Sequence, residues 1–245
     1  MNADLIFPDW PAPPQVRAVA TTRLGGRSGG PYASLNLGDH VGDDPAAVAA
    51  NRASLRQRLP ELQEEPQWLV QVRGNRCVSL DADAQREADA SISRRPGRVC
   101  AILTADCLPL LFCNRAGSAV AAAHAGWRGL AGGVIEATVR AMAQPADELL
   151  VWLGPAIGPA AFEVGEEVRR AFIAVDPAAE ACFAAGLPGK WWCDLYGLAR
   201  QRLAALGVTA VYGGDYCTWS EPAKFFSYRR DGATGRMASL IWLAP

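Results

Sequence analysis

The stretch TADCLPLLFCNRAGSAVAAAHAGWRG, residues 104–129, combines short apolar runs with two cysteines, Cys107 and Cys113, and one of the two histidines of the chain, His124. The runs PLLFC and SAVAAAHA are short and rich in apolar side chains, which predicts two buried strands. Cys107 follows a third such run, VCAILTA, and His124 stands at the end of SAVAAAHA. Because ligands commonly bind beyond the ends of strands, both side chains are candidates for one functional site.

Cysteine and histidine suit two kinds of chemistry. Both are good ligands for zinc, and a thiol beside an imidazole is also a common nucleophile–base pair. Free cysteine is among the most buried residue types, so an inert core residue is the alternative. We assign that role to Cys100, Cys113, Cys182 and Cys193. His124 differs, since HAGWRG places two glycines, a tryptophan and an arginine directly after it, which is typical of a turn that carries a cation.

The rest of the chain mixes strands and helices without a strict βαβ rhythm. PAAVAANRASLRQRL, residues 45–59, predicts a helix that is capped by Asp44 and has proline at its first position. Residues 130–143 also have helical spacing despite two glycines, and strands are predicted around residues 148–154 and 224–228. This mixture predicts a single α+β domain over residues 1–245, layered α/β/α with mixed sheets.

Composition excludes some classes of protein and favours others. The net charge is −1, and no cluster of lysine and arginine stands out, which argues against a nucleic-acid partner. Seven cysteines without a CxxC pair indicate a reducing compartment. The first residues lack the features of a signal peptide, and no apolar run has transmembrane length. We therefore predict a cytoplasmic monomer or homodimer with no membrane partner.

Two further segments carry candidate polar side chains. In FFSYRRDGATGRMASLIW, residues 225–242, Arg229 and Arg230 suit a phosphate or carboxylate, or else form one ion pair beside one solvated side chain. In the Gly/Pro-rich stretch over residues 23–45, His40 is either a ligand or, as we favour, a side chain that anchors the loop by a hydrogen bond. The composition of this stretch predicts an ordered loop.

Taken together, five motifs resemble the YfiH family, in order and over nearly the whole chain. They are TTRLGGRSGGPYASLNLGDHVGDDP, TADCLPLLF, AAAHAGWRGL, WLGPAIGP, and FFSYRRD with TGRMAS. That family carries the names laccase-like polyphenol oxidoreductase, purine nucleoside phosphorylase and peptidoglycan editing factor. The resemblance implies an α/β fold related to the catalytic domains of deamidating toxins.

The resemblance also implies a zinc ion on one cysteine and two histidines, with copper as an alternative assignment in the family. Cys107 and His124 correspond to two of these ligands. The third belongs to a QVHG motif, and here residues 71–74 read QVRG. Arg73 stays protonated and only donates hydrogen bonds, so it cannot ligate a metal, and we predict weak zinc binding. Cys77, four residues on, replaces it only if the backbone rearranges.

Three explanations for Arg73 stay open. It was introduced to disable the metal site, it is natural and holds a phosphate or carboxylate of the substrate, or it lowers the pKa of Cys107. The resemblance implies phosphorolysis of adenosine, inosine or methylthioadenosine, together with deamination of adenosine. We expect Arg128 and Arg229 to stabilise an anion there, and the loop around Asn36 and His40 to form a lid or substrate wall.

Other functions remain as alternatives. One is a cysteine amidohydrolase that removes L-serine built wrongly into UDP-muramoyl peptidoglycan precursors, with Cys107 as nucleophile and His124 as base. A copper oxidase of phenols is disfavoured because two histidines in the whole chain cannot supply its ligands. A binding module without catalysis is the remaining alternative, favoured only if Arg73 is natural and the site is inert.

Overall fold

The computed structural model describes residues 4–245. The strands are β1 (Leu5–Ile6), β2 (Val16–Thr21), β3 (Gln67–Trp68), β4 (Cys77–Ser79), β5 (Ala90–Ser93), β6 (Cys100–Thr104), β7 (Leu108–Asn114), β8 (Val120–Ala125), β9 (Leu149–Leu153), β10 (Glu163–Gly165), β11 (Phe183–Ala185), β12 (Lys190–Cys193), β13 (Ala210–Gly213) and β14 (Met237–Leu243). The helices are α1 (Pro45–Arg58), α2 (Trp127–Ala131), α3 (Val134–Met142), α4 (Glu166–Ile173), α5 (Leu195–Ala205) and α6 (Tyr228–Asp231).

Two mixed sheets form the centre of the molecule. The first has six strands in the order β13-β9-β7-β8-β5-β4, and the second has five in the order β1-β2-β14-β6-β3. Strand β7 pairs antiparallel with both β8 and β9, whereas β13 pairs parallel with β9. A third sheet, β10-β12-β11, is small and antiparallel.

Side chains alternate along the buried strands and thereby divide the core. In β7, Leu110 and Phe112 face α3, α4 and α5, while Leu111 and Cys113 face the five-stranded sheet. The far side of the five-stranded sheet packs against α1, where Leu55 is fully buried. The α+β class with mixed sheets is thus confirmed. Helices cover the two outer faces, as the predicted α/β/α layering requires, and the β layer between them consists of two stacked sheets.

Local sequence signals explain where several elements begin and end. Helix α1 confirms the prediction for residues 45–59, because Asp44 Oδ1 accepts the N–H of Ala46 at 3.0 Å. The single helix predicted over residues 130–143 is wrong: α2 ends before Gly132, and Gly133 has a left-handed backbone (φ +90°) that starts α3 anew.

The strand predicted around residues 224–228 is also wrong. Ser227 instead caps α6, since its Oγ accepts the N–H of Arg230 at 3.2 Å. In residues 4–245, the helices are all too short or too polar to cross a membrane.

Candidate active site

The structure brings Cys107 and His124 together at one end of the sheets. Cys107 lies in the turn between β6 and β7, and His124 lies in β8 in register with Pro109. Their functional atoms converge on Gly126: a Cβ on that glycine would lie 3.0 Å from Cys107 Sγ and 3.6 Å from His124 Nε2. Cys107 and His124 are seventeen positions apart in the sequence, and the antiparallel pairing of β7 with β8 brings the thiol and the imidazole next to each other.

Each member of this pair favours the charged form of the other. Burial raises the pKa of the Cys107 thiol, but the charge of His124 outweighs it, so that the pKa lies below that of a free cysteine. Burial lowers the pKa of His124, and the Cys107 thiolate together with the hydrogen bond to Asp89 raises it to about 9. The arrangement therefore favours a thiolate beside an imidazolium, the state in which a cysteine is nucleophilic.

Asp89 fixes the orientation of the imidazole. Its side chain is fully buried, and its Oδ1 lies 2.7 Å from His124 Nδ1. The main-chain N–H of His124 also donates to the carbonyl of Asp89, at 2.7 Å. With Nδ1 bound to the carboxylate, Nε2 is the nitrogen that is turned toward Cys107.

The same carboxylate holds the loop that carries Arg73. Asp89 Oδ2 accepts the N–H groups of Gly74 at 2.6 Å and Val72 at 3.2 Å, and its Oδ1 also accepts that of Arg73 at 3.0 Å. Arg73 itself has a left-handed backbone (φ 62°). Burial raises the pKa of Asp89, but the hydrogen bond and charge of His124, together with the N–H groups of Gly74 and Arg73, hold it below its usual value. Asp89 therefore couples position 73 to the histidine.

The two glycines of HAGWRG are required by close approaches. The Cβ that Gly126 lacks would reach the thiol, as described above. A Cβ on Gly129 would lie 2.8 Å from the carbonyl oxygen of Gly74 and 3.3 Å from that of His124. Helix α2 can therefore pack against the loop of residues 72–74 only without a side chain at this position.

A cavity of about 380 Å³ opens in front of the pair. Its charged lining is mostly basic, with four arginines and a single carboxylate, that of Asp106. The arginines are Arg73, Arg128, Arg229 and Arg236. The aromatic rings on the wall are those of Trp127, Phe162 and Tyr228. A cavity with apolar surfaces and a few convergent charged groups is typical of a site for a small ligand.

Two of these arginines lie over aromatic rings. The guanidinium carbon of Arg128 is 4.4 Å from the ring centroid of Trp127, and that of Arg229 is 5.2 Å from that of Phe162. Arg229 Nη1 also donates to the carbonyl of Glu163 at 2.7 Å. Its neighbour Arg230 points away from the cavity and forms an ion pair with Asp231 at 2.7 Å. Only the first arginine of the RR dipeptide thus belongs to the cavity.

The predicted loop residues divide between the cavity and its support. His40 lines the cavity with an exposed side chain, and its Nδ1 lies 3.5 Å from Asp39 Oδ1. Asn36 is not among the lining residues and is fully buried. Its Oδ1 accepts the N–H groups of Gly38 and Arg236, both at 2.9 Å. Asn36 therefore supports the wall from behind rather than facing the cavity.

Sequence reasoning missed three residues of this site. Asp89 belongs to no local motif: it precedes β5, whose sequence ASIS is half serine and gives no clear signal of the buried strand that it forms. Asp106 and Arg236 lie inside the motifs TADC and TGRMAS. Asp106 is buried next to Cys107, where its Oδ1 accepts from Thr218 Oγ1 at 2.6 Å and its Oδ2 from the N–H of Arg229 at 2.7 Å.

The described side chains around Cys107 and His124 offer too few ligands for a zinc or copper ion. In the part of the chain that the structure describes, no three histidine, cysteine, aspartate or glutamate side chains are grouped to hold a metal. Both oxygens of Asp89 already accept N–H groups, and burial raises the pKa of Cys77 in β4 to about 12. With a guanidinium at position 73, the residues present do not fit the metal site that the resemblance implies.

The chain is similar to known proteins over nearly its whole length. A family model described as multi-copper polyphenol oxidoreductase laccase matches residues 17–244. The chain is 59% identical to purine nucleoside phosphorylase PA4543 of Pseudomonas aeruginosa over 244 residues, 99% of each chain. It is 56% identical to purine nucleoside phosphorylase YfiH of Escherichia coli over 241 residues, 98% of each.

Among solved structures, it is similar to the Neisseria meningitidis protein NMB0706. The TM-score is 0.94 at 51% identity, with 99% of this chain and 100% of that chain covered. YlmD from Geobacillus stearothermophilus gives a TM-score of 0.86 at 33% identity, with 95% and 93% covered.

Proposed function

This chain belongs to the multi-copper polyphenol oxidoreductase laccase family, also called YfiH, and on that premise we propose that it is a purine nucleoside phosphorylase. Relatives that are more than half identical to it carry that name. The observation that carries the proposal is the cavity, where four arginines and a single carboxylate surround the Cys107–His124 pair. Such a lining attracts a phosphate, and the aromatic rings beside it offer flat apolar surfaces to a purine.

The proposed substrates are adenosine, inosine and methylthioadenosine. In phosphorolysis an oxygen of inorganic phosphate bonds to C1′ of the ribose, and the bond from C1′ to N9 of the purine breaks. The electron pair of that bond goes to N9, and the base leaves with the proton that the phosphate brought. The products are a free purine and ribose 1-phosphate.

Each site residue has a role in this proposal. The protonated His124 donates a proton to the departing base and receives one back from the phosphate, so that no net proton is consumed. Cys107 keeps the imidazole charged, because a thiolate next to it favours the imidazolium. Arg73, Arg128 and Arg229 stabilise the anion, and His40 forms part of the substrate wall.

Deamination of adenosine is proposed as a second reaction of the same site. There a water adds to C6 of the purine and ammonia leaves from that carbon. The charged pair supplies both the proton acceptor for the water and the proton donor for the amine.

The other proposed properties are a cytoplasmic location, supported by seven free cysteines, a monomeric or homodimeric state, and no nucleic-acid or membrane partner.

We propose that this chain binds zinc or copper far more weakly than the ligand set implied by the family would. The reason is the guanidinium at position 73, which leaves Cys107 and His124 as the only two ligands of that set. Purified protein should carry much less than one zinc per chain, and Arg73→His should restore close to one. Metal analysis measures both. Stoichiometric zinc on the unaltered chain would refute this part of the proposal.

The decisive assay for the phosphorylase uses adenosine with and without inorganic phosphate. We expect adenine and ribose 1-phosphate only when phosphate is present, and a loss of turnover in Cys107→Ser and His124→Gln. Arg230→Gln is a control, because Arg230 pairs with Asp231 outside the cavity. Adenosine that stays intact over long incubation with phosphate would contradict the proposal.

One observation favours a second candidate, the cysteine amidohydrolase. Cys107, His124 and Asp89 lie in the order of a thiol, an imidazole and an orienting carboxylate, the arrangement of a cysteine nucleophile with its base. A UDP-muramoyl precursor carrying L-serine is the substrate that tests it. Turnover of this compound alone, abolished by Cys107→Ser and unaffected by a chelator, would favour the amidohydrolase over the phosphorylase.

A further inference from the structure

Within residues 4–245, two of the four cavity arginines have no aromatic ring over the face of the guanidinium group. Arg128 and Arg229 lie over Trp127 and Phe162, whereas Arg73 and Arg236 lie over no ring in the described residues. The ion pairs of residues 4–245 involve other arginines, for example Arg58 and Arg202. Arg73 and Arg236 are therefore cations that face a cavity without a counter-charge of their own.

Two segments, residues 36–38 and residues 234–235, hold Arg236 in place. Its main-chain N–H donates to the buried Asn36, and its Nη1 donates to the carbonyls of Thr234 and Gly235, both at 3.0 Å. Its stem passes over Gly38, where a Cβ would lie 2.8 Å from Arg236 Cγ. These contacts fix the guanidinium but occupy only one of its nitrogens, so Nε and Nη2 have no acceptor among the described residues.

From this geometry we propose that Arg236 and Arg73 together bind the inorganic phosphate at the Cys107 end of the cavity. The nucleoside base then lies against Trp127, Phe162 and Tyr228. This inference rests on the proposed phosphorylase function and names the residues that bind its second substrate.

The charges around Arg236 support this placement. Arg236 is within electrostatic range of Cys107, Asp106 and Arg73, and burial is the largest influence on its pKa, which lies below that of a free arginine. Both oxygens of Asp106 are already bound, one by the hydroxyl of Thr218 and one by the N–H of Arg229. Neither a hydrogen bond nor an ion pair joins Asp106 to Arg236 among the described residues, so the free donors of Arg236 match a phosphate with several acceptor oxygens.

The position of Arg73 strengthens the same assignment. Its backbone is held by Asp89 through the N–H at 3.0 Å, so the residue is anchored although its side chain is exposed to the cavity. Asp89 binds the backbone and not the guanidinium, which leaves the charge free for a ligand. Two arginines whose backbones are anchored on separate loops form a better cradle for a doubly charged anion than one does.

The experiment measures binding of inorganic phosphate directly, by titration calorimetry at constant ionic strength without nucleoside. The unaltered protein is compared with Arg236→Gln, Arg236→Lys and Arg73→Gln. The matched control is Arg200→Gln, since Arg200 also donates to two carbonyls, those of Val211 and Gly213, but lies outside the cavity. Melting temperatures of all variants show whether each one is folded.

Loss of the charge-assisted bonds of Arg236 should raise the dissociation constant for phosphate roughly tenfold to hundredfold. Arg236→Lys should give a smaller rise, because it keeps the charge and loses the fork of donors. Arg73→Gln should weaken binding as well, and the Arg200 control should bind like the unaltered protein. In steady-state assays Arg236→Lys should raise the KM for phosphate and leave that for adenosine within about threefold.

Equal phosphate affinity in the unaltered protein and in folded Arg236→Gln and Arg236→Lys would overturn the inference. Phosphorolysis whose KM for phosphate is the same in the Arg236 variants as in the unaltered protein would also overturn it. That result would leave the proposed phosphorylase function standing. Conversely, Arg236-dependent phosphate binding without any phosphorolysis would support the phosphate site and reject the proposed function. The two failures are thus distinguishable.

Discussion

Replacing Asp89 by asparagine tests whether one carboxylate holds both the histidine and the loop of residues 72–74. In the unaltered protein each oxygen of Asp89 accepts two N–H groups, those of His124 and Arg73 on Oδ1 and those of Gly74 and Val72 on Oδ2. Asparagine keeps one oxygen and places an NH₂ group at the other position. Whichever position the NH₂ group takes, the two N–H groups that bound the oxygen there lose their acceptor and face a donor instead.

The structure sets the size of the effect. A buried donor without an acceptor costs about 1–3 kcal/mol, so two of them lower the free energy of unfolding by about 2–6 kcal/mol. Unfolding entropy is about 2.1 cal/mol/K per residue, so for a chain of 245 residues a change of 1 kcal/mol shifts the melting temperature by roughly 2 °C. Asp89→Asn should therefore lower the melting temperature by roughly 4–12 °C.

Thermal unfolding followed by circular dichroism measures this change. The matched control is Asp44→Asn, the same chemical change at the exposed cap of α1, where asparagine caps as well as aspartate and the expected shift is near zero. Turnover of Asp89→Asn at a temperature where it is folded should fall roughly tenfold to hundredfold, because the imidazole is no longer oriented. A melting temperature equal to that of the Asp44→Asn control would refute the role given to Asp89.

Three further substitutions test close contacts around the site. Gly126→Ala should keep the fold, since the backbone there (φ −65°) suits alanine, but turnover should fall roughly tenfold because the new Cβ lies 3.0 Å from Cys107 Sγ; unchanged kcat would contradict this contact. Gly129→Ala should lower the melting temperature by roughly 2–6 °C because its Cβ meets backbone oxygens, whereas Gly29→Ala, with nothing within 4 Å, serves as control; equal stability of the two would count against the close packing of α2. Thr218→Val should lower the free energy of unfolding by about 1–3 kcal/mol in a denaturant titration, because Asp106 loses the hydroxyl donor at 2.6 Å. A loss below about 0.5 kcal/mol, the size of an ordinary surface change, would show that Asp106 does not need this hydrogen bond.

The charge distribution of the cavity links these residues to the proposed chemistry. Buried Asp89 and Asp106 both use their oxygens on N–H and O–H donors of the protein. Arg73 and Arg236 have no carboxylate partner in residues 4–245, and Arg236 uses only Nη1 on protein carbonyls. The negative side chains are thus consumed in building the walls, and the positive ones remain available to a ligand. This asymmetry is the physical basis for assigning an anionic co-substrate to the site.

Features that depend on neighbouring residues were predictable from the sequence. Helix α1 follows from a capping aspartate, a proline at the first position and a helical run, all within residues 44–58. Strands β7 and β8 follow from their apolar runs, and the Cys107–His124 pair could be identified because a single hairpin carries both. The break between α2 and α3 was missed, since the left-handed backbone of Gly133 is one of several conformations that glycine permits.

The sequence by itself therefore determined helix α1, strands β7 and β8, the family motifs and the presence of a guanidinium at position 73. Only the tertiary structure decided which distant groups complete the site. Asp89 reaches His124 across 35 positions, and Arg236 joins Asn36 across 200. Local hydrogen bonds and apolar periodicity are set by adjacent residues, whereas these contacts exist only once two sheets have paired their strands in register and stacked. Arg236, which we propose as a phosphate ligand, belongs to that second class.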